Sequence, residues 1–207
     1  MTKTRLEAFS DGVIAILITI MVLELKVPHG ADLQALRSIL PTFLSYVLSY
    51  IFLGIYWNNH HHLLQAIKSV NGGILWANLH LLFWLSLIPF TTAWMGGTRF
   101  ASVPTAAYGG VLLLASIAYL VLQHTIVRSE GPDSILAVAT GHDRKGRLSA
   151  AMYALAIPTA LFFSAAVAGM IYVVVALVWL VPDRRIERAL AARHRREDGS
   201  QAHDAVG

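Results

Sequence analysis

The feature that most constrains this sequence is an apolar run near its N-terminus, flanked by charged residues. Within residues 12–23 only Thr19 interrupts the apolar side chains. Counted from about residue 9 to residue 27, the run has roughly the 20 residues with which an α-helix crosses a hydrocarbon layer of ~30 Å. The run therefore predicts a membrane helix with polar and charged residues at each end. These are Arg5, Glu7, Ser10 and Asp11 at one end and Glu24 and Lys26 at the other.

The composition extends this conclusion to most of the chain. Apolar residues make up 56% of the sequence and charged residues only 14%, which excludes a soluble globule and favours a polytopic membrane protein. The chain has no cysteine, so disulfides, thiolate zinc sites and iron–sulfur clusters are excluded. The formal charge of +4 comes from basic loops and a basic tail, which indicates topology rather than nucleic-acid binding.

Five further apolar segments follow the first. We predict an all-α polytopic membrane protein with six transmembrane helices per subunit and no large soluble domain. Residues 1–183 hold the six-helix unit, and residues 184–207 form a basic cytoplasmic tail. Pro89 is expected to kink the third span. The predicted spans are residues 8–27, 38–57, 74–94, 104–127, 148–164 and 168–182, with the boundary between the last two the least defined.

The distribution of basic residues predicts the orientation. With six spans, 13 of the 16 Lys and Arg residues lie on one side, and only Lys26, Arg37 and Arg99 lie on the other. The positive-inside rule then places both termini in the cytoplasm. The first helix has no small-residue cleavage site after it, so we expect it to be retained rather than removed as a signal peptide.

Helical phase divides the first span into two faces. At 100° per residue, one narrow face carries Gly12, Ile16, Thr19, Ile20 and Leu23, and the opposite side carries Glu7, Ser10, Asp11, Ile14 and Ile18. Because an acid at membrane depth needs a polar partner, we expect Ser10 and Asp11 to point into their own subunit. The aliphatic face is open to two interpretations, since such a stripe contacts lipid or ordinary packing partners as readily as a pore axis.

Polar residues at the cytoplasmic ends of the first three spans are predicted to form one interhelical hydrogen-bond network. A metal site at the three consecutive histidines is less consistent with the sequence, because adjacent side chains on a helix point 100° apart. A network is the better interpretation, since polar groups that must avoid lipid find one another. Its expected members are Arg5, Ser10 and Asp11 from the first span, Asn58, His60, His61 and His62 after the second, and Asn78 and His80 in the third.

The start of the first span resembles a known family signature. The pattern R-x-x-x-F-S-D, formed by Arg5, Phe9, Ser10 and Asp11, is similar to that of the transmembrane protein 175 family of potassium channels, whose bacterial members carry a single six-helix repeat. The blocks W-N-N-H-H-H at 57–62, N-L-H-L-L-F-W-L-S-L-I-P-F at 78–90 and W-L-V-P-D-R-R-I-E-R at 179–188 extend the resemblance. It implies a homotetramer in the bacterial cytoplasmic membrane.

The same resemblance assigns roles to residues of the first helix. It implies that this helix lines a central pore, that Ile16 forms a hydrophobic constriction, and that Thr19 contributes to cation preference. Ile20 and Leu23 continue the pore-lining face. The signature residues Arg5, Phe9, Ser10 and Asp11 are then structural and hold the pore helix in place.

We therefore expect a K⁺-permeable cation channel with a modest preference for K⁺ over Na⁺. Its partners are copies of itself, the lipid bilayer and monovalent cations, with no cofactor and no nucleic acid. The patterns T-V-G-Y-G, G-x-x-x-x-G-K-[ST], H-E-x-x-H and G-x-S-x-G are absent, which argues against a carbonyl filter and against an enzyme. The alternatives are a proton-coupled secondary transporter that uses Asp11 and the histidine cluster, and a membrane scaffold that transports nothing.

Overall fold

The computed structural model describes residues 1–28, 30–131, 134, 136–137 and 144–180. These residues form helices and short connections, without any β-strand in the described ranges. The elements are α1 (Lys3–Ile20) with a 3₁₀ turn after it (Met21–Glu24), α2 (Leu33–Gln65), α3 (Gly72–Ser86), α4 (Ile88–Gly97), α5 (Ser102–Glu130), α6 (Arg144–Phe162) and α7 (Ala165–Leu180).

The helices confirm the predicted class, an all-α membrane protein with six helical spans. Four segments are long and apolar enough to cross a membrane: Lys3–Glu24, Leu33–Gln65, Gly72–Gly97 and Ser102–Glu130. The apolar helix Ala165–Leu180 is shorter, and α6 pairs with it. The predicted tail at 184–207 lies outside the described residues.

The second helix is longer than the predicted span. It has 33 residues and therefore measures ~50 Å, well beyond a hydrocarbon layer of ~30 Å. Asp32 caps its start by accepting a hydrogen bond from the Ala35 N–H at 2.7 Å. Asn58 and the three histidines, which follow the predicted second span, continue α2 for two further turns. A run of polar side chains does not by itself end a helix that stays packed against neighbouring helices.

Two other interruptions lie close to their predicted places. The third span breaks at Leu87, two residues before Pro89, and α4 begins with this proline in its first turn. The last two helices are separated only by Phe163 and Ser164, where the Ser164 N–H bonds to the Thr159 carbonyl at 2.8 Å. Helix α7 consequently starts at Ala165, slightly before the predicted 168.

Helix α5 is the centre of the bundle and packs against α3, α4, α6 and α7. A buried hydroxyl chain joins it to α2 and α4. The Thr92 hydroxyl donates to the Ile88 carbonyl at 2.6 Å, so Ser49 donates to Thr92 at 2.6 Å and Tyr108 donates to Ser49 at 2.9 Å. Because each hydroxyl has a partner, the three polar groups are buried without the cost of an unpaired donor.

Close packing between α5 and α7 depends on one of two adjacent glycines. The Tyr172 hydroxyl donates to the Thr105 carbonyl at 3.0 Å, and its ring passes directly over Gly109. A Cβ atom at Gly109 would meet the Tyr172 hydroxyl and lie 2.9 Å from its Cζ atom, whereas nothing lies within 4 Å of a Cβ atom at Gly110.

We expect Gly109→Ala to destabilise the protein by about 1–3 kcal/mol, the usual cost of overpacking a core. Gly110→Ala is the matched control and should be neutral or slightly stabilising, because alanine is the better helix former. Thermal unfolding in detergent measures both. Equal melting temperatures for the two variants would contradict the α5–α7 packing.

Candidate functional site

The candidate site is α1 with the polar residues that hold it. One face of this helix is buried in its own subunit by α2, α3 and α4. The buried side chains are Leu6, Ser10, Ile14 and Leu17, followed by Met21 in the 3₁₀ turn. Their spacing follows the helical period, so α1 is an amphipathic element whose inner face fits the bundle.

The opposite face of α1 is largely uncovered in the described subunit. Ile16 is 59% exposed and Leu23 78% exposed, whereas Ile14 is fully buried. The exposed face carries the whole predicted stripe, namely Gly12, Ile16, Thr19, Ile20 and Leu23. Phe9 of the signature is also exposed, at 48%.

A chain of hydrogen bonds fixes the polar end of the buried face. Asn78 Nδ2 donates to Ser10 Oγ at 3.0 Å, and His60 Nε2 lies 2.7 Å from Asn78 Oδ1. Because an amide oxygen only accepts, His60 is the donor in this bond. Ser10 in turn donates to the Leu6 carbonyl at 2.9 Å. All donors thus point the same way, from α2 through α3 to the backbone of α1, an arrangement in which neighbouring bonds strengthen one another.

Asp11 lies beside this chain and has a different partner. Its Oδ1 accepts a hydrogen bond from Trp57 Nε1 at 3.0 Å, and the Trp57 ring stacks on His61 with a centroid distance of 6.1 Å. The expected bond between Asp11 and an Asn or His is therefore not the one that forms. Trp57 was missed because it was counted among the apolar residues of the second span, although its N–H needs an acceptor when the ring is partly covered.

Five other predicted members lie outside the hydrogen-bond chain, each with a different environment. Arg5 is exposed at the end of α1, and His80 is exposed on α3, where it accepts a bond from Trp84 Nε1 at 2.9 Å. His61 bonds to Gln65 one turn away, at 2.8 Å. Asn58 is half-buried, and its side chain bonds to no described residue. His62 is half-buried and touches the ring of His61.

Other contacts tie the ends of the same helices together. Lys3 Nζ donates to the Gln65 carbonyl at 2.8 Å, which places the start of α1 beside the end of α2. Glu130 at the end of α5 accepts a bond from the Lys68 N–H at 2.9 Å. Among the described residues no group of three His, Asp or Glu side chains could hold a metal ion.

Comparison with known proteins places this arrangement in a family. The sequence profile described as "Endosomal/lysosomal potassium channel TMEM175" matches residues 5–89, a region that contains Ser10, His60 and Asn78. A potassium channel of Chryseobacterium sp. (strain P1-3) is 56% identical over 190 residues, which is 92% of this chain and 98% of that protein. The chain belongs to the TMEM175 family.

A solved structure supports the same assignment at the level of the fold. The crystal structure of a lysosomal potassium-selective channel TMEM175 homolog from Chamaesiphon minutus superposes with a TM-score of 0.75 at 26% identity. The superposition covers 87% of this chain and 97% of that one. The chicken endosomal/lysosomal proton channel TMEM175 is 39% identical over 81 residues, which is 33% of this chain but only 16% of that longer protein. These TMEM175 relatives are named as ion channels and not as enzymes.

The hydrogen-bond chain predicts the effect of removing its central residue. Asn78→Ala should destabilise the protein by about 1–3 kcal/mol, because the buried His60 N–H is left without an acceptor. His80→Ala, on the same helix but exposed, is the control and should change stability little. Thermal unfolding and the elution profile in detergent measure both variants, and a milder effect at Asn78 than at His80 would contradict the account.

Proposed function

We propose that this TMEM175 family member is a homotetrameric, K⁺-permeable cation channel whose pore is lined by the exposed face of α1. The observation that carries the proposal is the stripe of aliphatic side chains that the subunit leaves uncovered. The identity of the permeant ion is inferred from the bacterial relatives, which are named potassium channels. Ile16, Thr19, Ile20 and Leu23 are the proposed pore-lining residues.

The subunit alone does not enclose a path for ions. One helix offers a single stripe, whereas rotational symmetry makes four copies face one another around an axis. In that arrangement a ring of Ile16 side chains forms the proposed constriction, with Ile20 and Leu23 further out. A ring of branched aliphatics is a dry neck, where an ion must give up or distort its hydration shell.

Thr19 provides the polar contact next to this neck. Its hydroxyl donates to the Ile16 carbonyl at 2.9 Å, so the proton is used inside the helix. The lone pairs of the hydroxyl oxygen then remain available on the exposed face. Four such oxygens around an axis partly replace water around a cation, which is the proposed origin of a modest preference for K⁺ over Na⁺.

The outer end of the proposed pore carries one acid. Glu24 is exposed in the 3₁₀ turn and borders a crevice between Leu23 and the aromatic side chains of α4, Phe90 and Trp94. Four copies would raise the local cation concentration at the mouth. Glu24 also borders a second crevice together with Lys26, so a paired or solvated acid remains the alternative.

We place the channel in a bacterial cytoplasmic membrane with both termini in the cytoplasm. The basic residues on the side of Lys3 and Lys68 support this orientation. The contact between Lys3 and the end of α2 is consistent with it, because both lie at the same end of the bundle.

A proton-coupled carrier is the competing function. The carrier function is supported by the animal relatives, which are named proton channels. Against the carrier, Asp11 bonds to Trp57 and not to the histidines, so the described contacts within one subunit do not form an acid–histidine relay. Liposome flux separates the classes: a channel passes K⁺ down its gradient without a pH gradient, a carrier requires coupling, and a scaffold passes nothing.

The tetramer itself is directly testable. Native mass spectrometry of the protein released from detergent should show four copies, because the apolar face of α1 is covered only in the assembled state. A spectrum containing only monomers and dimers would contradict the proposal.

The constriction is tested by Ile16→Ala. A smaller side chain widens the neck and favours its wetting, so we expect the single-channel current to rise and the preference for K⁺ over Na⁺ to fall. Recordings with K⁺ and Na⁺ on opposite sides of the membrane measure both quantities.

Two isoleucines provide matched controls for this experiment. Ile14→Ala removes a fully buried side chain of the same helix and should cost about 2–5 kcal/mol of stability without raising the current. Ile117→Ala removes a side chain that is 41% exposed on α5 and should leave current and selectivity unchanged. Equal effects at Ile16 and Ile117 would remove Ile16 from the pore.

A further inference from the structure

A second feature lies away from α1, in a narrow cleft between α2, α5, α6 and α7. The space between its walls is about 420 Å³, a figure that includes space open to the surroundings, so the feature is an open crevice and not an enclosed cavity. Its lining is mainly aromatic and aliphatic, with Tyr56, Tyr119, Tyr153 and Trp179 as the largest side chains. Apolar clefts with a few polar groups are the usual form of a binding site for a small molecule or a lipid chain.

One end of the cleft lies at the first turns of α6. Trp179 Nε1 donates to Ser149 Oγ at 2.7 Å, and Lys145 Nζ lies 5.9 Å from the centre of the Trp179 ring. Gly146, between the two basic residues Lys145 and Arg147, forms part of the lining. Tryptophan and lysine in this combination are typical of the headgroup layer of a bilayer, so the mouth of the cleft lies at that layer and its interior at the acyl chains.

The sequence concentrates positive charge at the same end of the bundle. Helices α6 and α7 form a tight hairpin, so the start of α6 and the end of α7 lie side by side. Lys145 and Arg147 lie in the first turn of α6. In the sequence, the segments that adjoin these two helix ends carry the basic residues Arg144, Lys145, Arg147, Arg184, Arg185 and Arg188 against the acids Asp143, Asp183 and Glu187, a net positive balance. Basic clusters directly beside a membrane helix favour anionic lipid headgroups.

We propose that this cleft binds an anionic phospholipid, with one acyl chain among Tyr56, Tyr119 and Tyr153 and the phosphate beside Lys145 and Arg147. A phospholipid fits both parts of the site, because its tail matches the apolar lining and its charge matches the rim. A peptide does not fit as well, since its backbone N–H and C=O groups would be left unpaired among the aromatic rings. The binding site is independent of the proposed pore.

The test compares phosphatidylglycerol with phosphatidylcholine of the same acyl chains. Both lipids are added to the detergent-purified full-length chain, and native mass spectrometry measures the fraction of subunits that retain each lipid. We expect phosphatidylglycerol to be retained preferentially. The double variant Lys145→Gln/Arg147→Gln should weaken its binding roughly 10- to 30-fold, the loss expected for two basic residues at an anionic surface.

The control is a charge-matched pair away from the cleft, Lys68→Gln/Arg128→Gln, which should retain phosphatidylglycerol as the wild type does. Both control residues are exposed and neither lines the cleft. If both pairs weaken binding equally, the lipid is held by general charge attraction and the site is wrong. Equal retention of the two lipids by the wild type would also overturn the proposal.

A second readout reports on the apolar part of the site. Phosphatidylglycerol with brominated acyl chains, at low mole fraction among phosphatidylcholine, should quench tryptophan fluorescence in the wild type. Trp179→Phe should remove a substantial part of this quenching. If quenching is unchanged in this variant, no acyl chain occupies the cleft. The same conclusion would follow if inorganic phosphate stabilised the protein as much as phosphatidylglycerol does.

Discussion

One face of helix α1 packs inside its own subunit, and the other is left uncovered. The hydrogen-bond chain from His60 through Asn78 to Ser10 determines which face is buried. Ser10 is fully buried, so a rotation of α1 about its axis would separate Ser10 from Asn78 and expose Ile14. Each unpaired buried group costs about 1–3 kcal/mol. Directional bonds at one end and apolar packing along the rest therefore hold the helix in one rotational position. That position leaves Ile16, Thr19 and Leu23 uncovered.

The long helices around α1 provide the support for this arrangement. Helix α2 extends far beyond the hydrocarbon thickness, which brings His60 within reach of Asn78 on α3. Further out, the hydroxyl chain of Tyr108, Ser49 and Thr92 links α5, α2 and α4. These two buried hydrogen-bond chains thus fix the register of the helices. Apolar packing alone would let one helix shift along the axis of another. The uncovered stripe of α1 needs no such bonds because its proposed partners are copies of itself.

Periodicity and hydropathy predicted the fold class, the number of spans and the two faces of α1, because each depends on a repeating pattern of residue types. The partners of individual polar groups depend on side-chain reach between helices, which a single sequence does not contain. Asp11 therefore bonds to Trp57 rather than to a histidine, and His80 points outward although it lies only two residues from the buried Asn78. A separation of two residues on a helix turns a side chain by about 200°, so one helical-wheel argument applied to α3 would have separated this pair.

The absence of cysteine from the chain allows a direct test of the central claim, that the exposed face of α1 lines the path of the ions. A single cysteine in place of Leu23 is exposed to a membrane-impermeant, positively charged methanethiosulfonate reagent while K⁺ flux is recorded, with Leu114→Cys on the exposed side of α5 as the reference. The account predicts rapid modification and a loss of flux at position 23, and no loss at position 114. Unchanged flux at position 23, whether the cysteine is modified or protected by lipid, would contradict it.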